Sequence, residues 1–167
     1  MIWPDYIKFT ATTALPAAAN PEYLRLGLLE EAHEFLSAYC AMRAAELGLQ
    51  KRLLRGDDEA TIAAKRADID RHRQKAIEEL GDVCWYTARV GVTTTPHSKI
   101  GHNLRMIMLN ADMLSSGHHD QMAVHADEIV RYAIGLMDVS LQDVLAANVA
   151  KLTARKEAGT IQGQGDR

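Results

Sequence analysis

The sequence predicts an all-α protein, and three observations support this fold class. Apolar residues recur at three- and four-residue steps over long stretches, as they do along one face of a helix. Asparagine, serine and proline stand where such stretches begin, which is typical of helix starts. No segment alternates apolar and polar residues as a half-buried strand does. We therefore predict a bundle of four main helices with further inserted helices.

Residues 1–19 are predicted to form an extended N-terminal arm, because they contain two prolines and a Thr/Ala-rich stretch without a firm period. Asn20 and Pro21 then supply a cap and a first-turn proline, which predicts the start of a long helix. Gly48 is the predicted end of this helix. Its apolar face is marked by Leu28, Ala32, Phe35, Tyr39 and Met42.

The middle of the chain predicts three further helices. Residues 51–75 are rich in charge and contain Gly56-Asp57-Asp58, which indicates a turn followed by a charged helical lead-in. A second important helix is predicted over about residues 75–91. Thr95-Pro96 predicts the start of another helix that ends near Gly117, and a further one is predicted over about residues 121–138.

The last helix is predicted to begin at Ser140, because Ser140 to Asp143 has the form of a capping box. Asn148 interrupts the apolar side of this helix. Residues 157–167 are rich in glycine and predict a flexible tail.

Composition favours a single domain with an adequate core, since the chain has 167 residues of which 47% are hydrophobic and 25% charged. The formal net charge of −3 gives no overall attraction to polyanions, so we expect no stable binding to nucleic acid. The N-terminus lacks a basic region followed by an apolar run, and no stretch approaches membrane-spanning length. We therefore expect a cytoplasmic protein that binds no membrane.

The two cysteines, Cys40 and Cys84, are far apart and form no CxxC pair. This usage fits a reducing compartment. Both residues are predicted to serve as small apolar packing groups.

Two acidic clusters carry the strongest functional signal. Glu31 and Glu34 lie three residues apart in one predicted helix, and Glu79 and Asp82 lie three apart in another. Each pair projects from one side of its helix at the edge of the apolar stripe, where unpaired carboxylates are costly to bury. Four convergent oxygen ligands suit Mg²⁺ or Mn²⁺, so the clusters predict a shared metal site.

A third polar set follows near the C-terminus. Asn148, Lys151 and Arg155 are spaced at three- and four-residue steps, which places an amide and two cations on adjoining faces of the last helix. Such a set suits contacts to phosphate or to a nucleobase. A buried amide that is satisfied within the bundle is the alternative for Asn148, and a surface ion pair is the alternative for Arg155.

These segments resemble a known family. Residues 26–34 (LGLLEEAHE) and 78–82 (EELGD) resemble the ExxE and ExxD motifs of MazG-like nucleotide pyrophosphohydrolases. Residues 148–155 (NVAKLTAR) resemble the closing N-x-x-K-L segment, and the glycine-rich tail is similar to that of phage-type members. The chain departs from the family in the long spacer between Glu34 and Glu79 and in residues 96–138, which we interpret as a helical insertion.

The resemblance implies an all-α bundle that assembles as a dimer or as a dimer of dimers. It implies hydrolysis of a (d)NTP to the (d)NMP and pyrophosphate, with two or more Mg²⁺ or Mn²⁺ ions per site. The implied metal ligands are Glu31, Glu34, Glu79 and Asp82, and Glu30 is the candidate general base or ligand of an additional metal. Lys151 and Arg155 would bind the triphosphate and Asn148 the nucleotide.

The phage-type resemblance makes dGTP or GTP the first trial substrate, in a role that shapes the nucleotide pool, inside the host cytoplasm if the protein is phage-encoded. Pyrimidine nucleotides such as dUTP and dCTP are the main alternative. Trp85 and Tyr86 are candidates for the base pocket, although an aromatic on a core helix usually serves packing.

Three other functional hypotheses remain open on the sequence. A di-iron carboxylate bundle would use the Glu30-x-x-His33 pair but lacks a second such pair. The segment His118-His119-Asp120 resembles the paired His-Asp of another class of metal phosphohydrolase, and His97, His102 and His125 lie nearby in the sequence. We interpret the segment instead as a polar loop, and His125 as a residue on the surface of a helix. The third is a helical oligomerisation module without catalysis.

Overall fold

The computed structural model describes residues 1–93, 96, 103–116 and 121–160. Within these ranges the chain forms six α-helices and one short 3-10 turn, and no strand. The prediction of an all-α protein is therefore confirmed. The helices are α1 (Trp3–Thr13), α2 (Pro21–Arg55), α3 (Glu59–Arg89), α4 (Leu104–Ser115), α5 (Met122–Met137) and α6 (Leu141–Glu157), with the 3-10 turn at Pro16–Ala19.

Helices α2 and α3 form a long antiparallel hairpin, the framework on which the candidate site is built. The Asn20 side chain caps α2 by accepting a hydrogen bond of 2.9 Å from the Glu22 N–H, as predicted. The predicted stop at Gly48 was wrong, because the helix continues to Arg55. Gly56, with a φ of +71°, ends it in the left-handed conformation that glycine adopts most easily. Packing against α3 outweighs the modest cost of a glycine inside a helix.

The predicted extended arm was also wrong, because most of residues 1–19 is helical. Pro4 lies in the first turn of α1, where its missing N–H breaks no helical hydrogen bond. Trp3 and Tyr6 are fully buried, and the Trp3 indole N–H donates a hydrogen bond of 2.9 Å to the Val92 carbonyl. Aromatic burial therefore orders a segment whose sequence lacks a clear period.

Helices α4 and α5 form a second pair that packs on the α2–α3 hairpin. Pro96 lies outside any helix and α4 begins at Leu104, so the predicted start at Pro96 was wrong; Thr95 lies outside the described residues. The surface position expected for His125 was wrong as well. Its side chain is buried, and its Nδ1 lies 2.7 Å from the Asn110 Oδ1.

Helix α6 closes the core against α3 and α1. Ser140 caps it by accepting a hydrogen bond from the Gln142 N–H, and the helix ends at Glu157. The predicted flexible tail falls mostly on residues 161–167, which lie outside the described residues. Cys84 is buried as expected, whereas Cys40 is exposed, so its predicted packing role was wrong.

In the described part of the chain, no single helix is long and apolar enough to cross a membrane. Only α5 and α6 taken together meet such a criterion, and a bend of 105° separates them.

Candidate metal centre

Three of the four predicted acidic ligands meet between α2 and α3. One carboxylate oxygen from each of Glu31, Glu34 and Glu79 lies within 4.8 Å of the other two. The antiparallel hairpin explains why they meet, because Glu31 and Glu34, three residues apart on α2, face the acidic residues 78–82 of α3. The structure therefore brings together three of the four carboxylates that the sequence predicted to share a site.

The three carboxylates differ in exposure: Glu79 is buried, Glu31 is half-buried and Glu34 is exposed. Burial first, and then the negative charges of Asp82, Glu34 and Glu79, raise the pKa of Glu31 to about 8. The pKa of Glu34 is also raised, first by desolvation and then by Glu79. The mutual repulsion of these carboxylates contributes to their raised pKa values, and a divalent cation bound among their oxygens would offset it.

Asp82 stands beside this cluster but has its own partners on α6. One of its oxygens accepts a hydrogen bond of 2.8 Å from the Asn148 Nδ2, and the other is paired with the Lys151 ammonium group. Its charge nevertheless acts on Glu31, whose pKa it raises. The fourth predicted ligand is thus held by α6, close enough for its charge to act on Glu31 and Glu34.

Asn148 is almost fully buried and uses both ends of its amide. Its Oδ1 accepts a hydrogen bond of 2.7 Å from the Tyr6 hydroxyl, while its Nδ2 donates to Asp82. This matches the alternative in which Asn148 is an amide satisfied within the bundle. The hydrogen bond from the Asn148 Nδ2 holds the Asp82 side chain in position.

Gly81 makes the close approach of α6 to α3 feasible. A Cβ atom built on Gly81 would lie 2.9 Å from the Asn148 Cβ and 3.0 Å from its Nδ2, nearer than packed atoms come. A glycine in this position lets the Asn148 side chain lie directly against the α3 backbone. The glycine between Glu79 and Asp82 is therefore part of how the site is assembled.

Lys75 is a member of the site that the sequence did not single out. Its ammonium group forms an ion pair with Glu79, one helical turn further along α3. The pKa of Lys75 is raised, first by this contact with Glu79 and then by the nearby charges of Glu34 and Glu78. The i, i+4 spacing from Glu79 was the available sequence signal, but it falls within a stretch crowded with lysine and arginine.

An aromatic group borders the acidic residues at the N-terminal end of α2. The rings of Tyr23 and Tyr86 lie 6.4 Å apart, and Tyr86 packs over Gly27 so closely that a Cβ there would lie 2.3 Å from its ring. Trp85 contacts Tyr86 edge to face, and its indole N–H donates to the Thr13 hydroxyl. The sequence had indicated Trp85 and Tyr86 but not Tyr23.

The remaining predicted site residues flank this arrangement. Glu30 is exposed, and its charge acts on both Glu34 and Tyr86, which places it at the solvent side of the acidic residues. Arg155 is half-buried and lies one turn beyond Lys151 on α6. Neither belongs to the three-carboxylate group.

The competing metal hypotheses find no support in the described residues. His33 is exposed, and the candidate group of ligands within the described ranges consists of carboxylates without a histidine. His97, His102 and the His118-His119-Asp120 segment lie outside the described residues. A set of oxygen ligands favours Mg²⁺ or Mn²⁺ over metals that prefer nitrogen or sulfur.

No match to this chain is found among models of known protein families, among curated protein sequences or among solved structures.

Proposed function

We propose that this protein is a metal-dependent nucleoside triphosphate pyrophosphohydrolase of the MazG-like type. The observation that carries the proposal is the convergence of Glu31, Glu34 and Glu79, from two helices, with one oxygen of each within 4.8 Å of the others. Asp82, Lys151 and Asn148 border this group, so acids for a metal and a cation for phosphate occur together. The resemblance of the motifs supports the same activity.

In this proposal Glu31, Glu34 and Glu79 hold Mg²⁺ or Mn²⁺, and Asp82 supplies a further oxygen from beside them. When bound, two or more such ions would neutralise the triphosphate and lower the pKa of a bound water. In the proposed hydrolysis, water would add to phosphorus as the P–O bond between the α- and β-phosphates breaks, which would give the monophosphate and pyrophosphate. Glu30, at the solvent side, takes the proton of the water.

The residues of α6 act on the phosphates and on the geometry of the site. Lys151 and Arg155 contribute positive charge for the triphosphate. Asn148 holds Asp82 rather than the nucleotide, since both ends of its amide are engaged within the bundle. This assignment differs from the nucleotide contact that the family resemblance implies for Asn148.

The aromatic group of Tyr23, Trp85 and Tyr86 is the proposed boundary of the nucleobase site, because it lies on the same hairpin as the acids. We propose dGTP or GTP as the first substrates to test, with dUTP and dCTP as the pyrimidine alternative. The reaction would shape the nucleotide pool.

We further propose that the protein self-associates as a dimer or tetramer. Exposed leucines on the second half of α2 support this proposal, because clustered apolar surface often marks a contact between protein chains. These leucines are Leu47, Leu53 and Leu54. Light scattering of the purified protein would measure the mass of the assembly.

The proposed activity is tested by incubating the protein with a panel of (d)NTPs and Mg²⁺ or Mn²⁺ and separating the products. Monophosphate with pyrophosphate is the expected pattern, and the preferred nucleotide identifies the base. Diphosphate with inorganic phosphate would contradict pyrophosphohydrolysis. No turnover of any nucleotide with either metal would favour the non-catalytic helical module.

A further inference from the structure

Two lysine ammonium groups contact the acidic residues of α3. Lys75 pairs with Glu79 from the same helix, and Lys151 pairs with Asp82 from α6. The Lys75 side chain is 56% exposed, whereas the Glu79 side chain is only 3% exposed. A solvent-exposed cation thus reaches inward to a carboxylate that is otherwise shut off from water.

The Lys75 ammonium group is the one cation that the described structure places on the buried Glu79 Oε1. A buried carboxylate that served structure alone would be expected to have well-directed donors. The neighbours of Glu79 on α2 are the carboxyl groups of Glu31 and Glu34, each with an oxygen within 4.8 Å of one of its own.

The formal charges of these groups also leave an excess of negative charge. The four carboxylates of Glu31, Glu34, Glu79 and Asp82 and the two ammonium groups leave a formal charge of −2 when all are ionised. The two lysines therefore neutralise part of the acidic charge and leave the rest for another cation.

We propose that Lys75 and Lys151 are exchangeable counter-ions: they pair with Glu79 and Asp82 in the metal-free protein and turn to the triphosphate when divalent ions take those carboxylates. This inference rests on the proposed function, since it assumes that the acids hold metal. It adds Lys75 to the residues that bind the triphosphate.

Lysine is suited to such an exchange. Its charge sits at the end of a flexible four-carbon chain, so the ammonium group can move several ångströms without a change in the helix. A divalent ion held by these carboxylates would supply the positive charge that the ammonium groups supply in its absence. The released cation then lies at the edge of a site that receives the negative charges of the substrate.

The exchange couples metal binding to triphosphate binding. Metal alone must break two ion pairs, whereas metal with triphosphate breaks the same pairs and gives both lysines new anionic partners. Each ligand therefore strengthens the binding of the other, as linkage requires.

The direct test follows the lysine ammonium groups of the whole chain by ¹H–¹⁵N NMR, with the Lys75 and Lys151 signals assigned through Lys75→Arg and Lys151→Arg. We expect Mg²⁺ to shift both signals and inorganic pyrophosphate, added afterwards, to shift them again. The Lys65 signal is the internal control, because Lys65 pairs with Asp68 further toward the hairpin turn and should not move. Unmoved Lys75 and Lys151 signals, in protein that binds Mg²⁺ by calorimetry, would overturn the inference.

Affinities provide a second measurement. Lys75→Met should weaken the binding of pyrophosphate in the presence of Mg²⁺ about tenfold, as expected for the loss of one charged contact, while Mg²⁺ alone binds at least as tightly as to the unchanged protein. Lys65→Met should leave both affinities unchanged. Equal pyrophosphate affinity in Lys75→Met would contradict the inference and leave the proposed function standing, whereas absence of Mg²⁺ binding by the unchanged protein would remove both.

Discussion

Asn148 on α6 donates a hydrogen bond of 2.8 Å to Asp82 on α3, so a residue near the end of the described chain positions the fourth acid of the candidate site. The Oδ1 of the same amide accepts a hydrogen bond from the Tyr6 hydroxyl of α1. One buried side chain therefore links three helices. A change in how α1, α3 and α6 pack would therefore alter the position of the Asp82 side chain. The site depends on the whole bundle rather than on the α2–α3 hairpin alone.

Asn148→Ala should reduce both stability and the proposed activity. The change removes the Nδ2 donor from one Asp82 oxygen and the shorter of two hydrogen bonds from the Tyr6 hydroxyl, which keeps the Gly81 carbonyl at 3.3 Å. The loss costs about 1–3 kcal/mol in the free energy of unfolding. Release of pyrophosphate should fall with it, because Asp82 loses the donor that orients it. Urea unfolding and a pyrophosphate assay measure the two effects.

Tyr6→Phe is the control for this change, since it removes the hydroxyl from Asn148 and keeps the contact between Asn148 and Asp82. We expect a loss of stability of about 1 kcal/mol with the rate at saturating Mg²⁺ nearly retained. An Asn148→Ala protein that loses stability and keeps its full rate would show that Asn148 has no part in positioning Asp82.

Glu79→Gln should strongly weaken metal binding, because Glu79 supplies the buried oxygen of the three-carboxylate group. We expect Mg²⁺ affinity and pyrophosphate release to fall at least about 100-fold. Glu78→Gln is the matched control, since Glu78 accepts from Gln74 on the neighbouring face of α3 and is not part of the group. Calorimetry with Mg²⁺ compares the two, and similar losses in both variants would refute the metal assignment.

The sequence predicted most of the helices because helical periodicity and caps are local properties, and Asn20 and the Gly56 turn are examples. It failed where burial decided the outcome. Trp3 and Tyr6 order the N-terminal helix through contacts with distant residues. Gly48 lies inside α2 where that helix packs on α3, next to the Lys65 side chain. No local pattern contains that information.

The same division applies to the candidate site. Glu31 with Glu34, and Glu79 with Asp82, were predictable because each pair is separated by less than one helical turn. The contact of Tyr6 with Asn148 spans 142 residues of sequence, so spacing gave no signal for it. Which partners hold Asp82 became visible only once the helices were packed.

Gly81→Ala should destabilise the protein, since the added Cβ would meet the Asn148 Cβ at 2.9 Å between two packed helices. We expect a loss of about 1–3 kcal/mol, as for other overpacked positions. Gly48→Ala is the matched helical control, because its Cβ would meet only the movable end of Lys65, and it should stabilise the protein by about 0.5–1 kcal/mol. Thermal and urea unfolding compare the variants, and equal effects would argue against the close approach of α6 to α3.

The raised pKa of Glu31 predicts how the metal-free protein responds to pH. Between pH 4.5 and about 8 the folded protein keeps a proton that the unfolded chain releases, so the free energy of unfolding falls as pH rises through this window. The difference between the folded and unfolded pKa values of Glu31 sets a ceiling of about 5 kcal/mol on this effect, which partial exposure of Glu31 reduces to about 1–3 kcal/mol.

The Glu31→Gln variant should lose this part of the pH dependence. Urea unfolding in EDTA at pH 5 and pH 8.5 measures it, and equal slopes for the two proteins would contradict the assignment. Mg²⁺ should restore stability at pH 8.5 in the unchanged protein more than in Glu31→Gln, because an ionised Glu31 gains a cation in place of its proton.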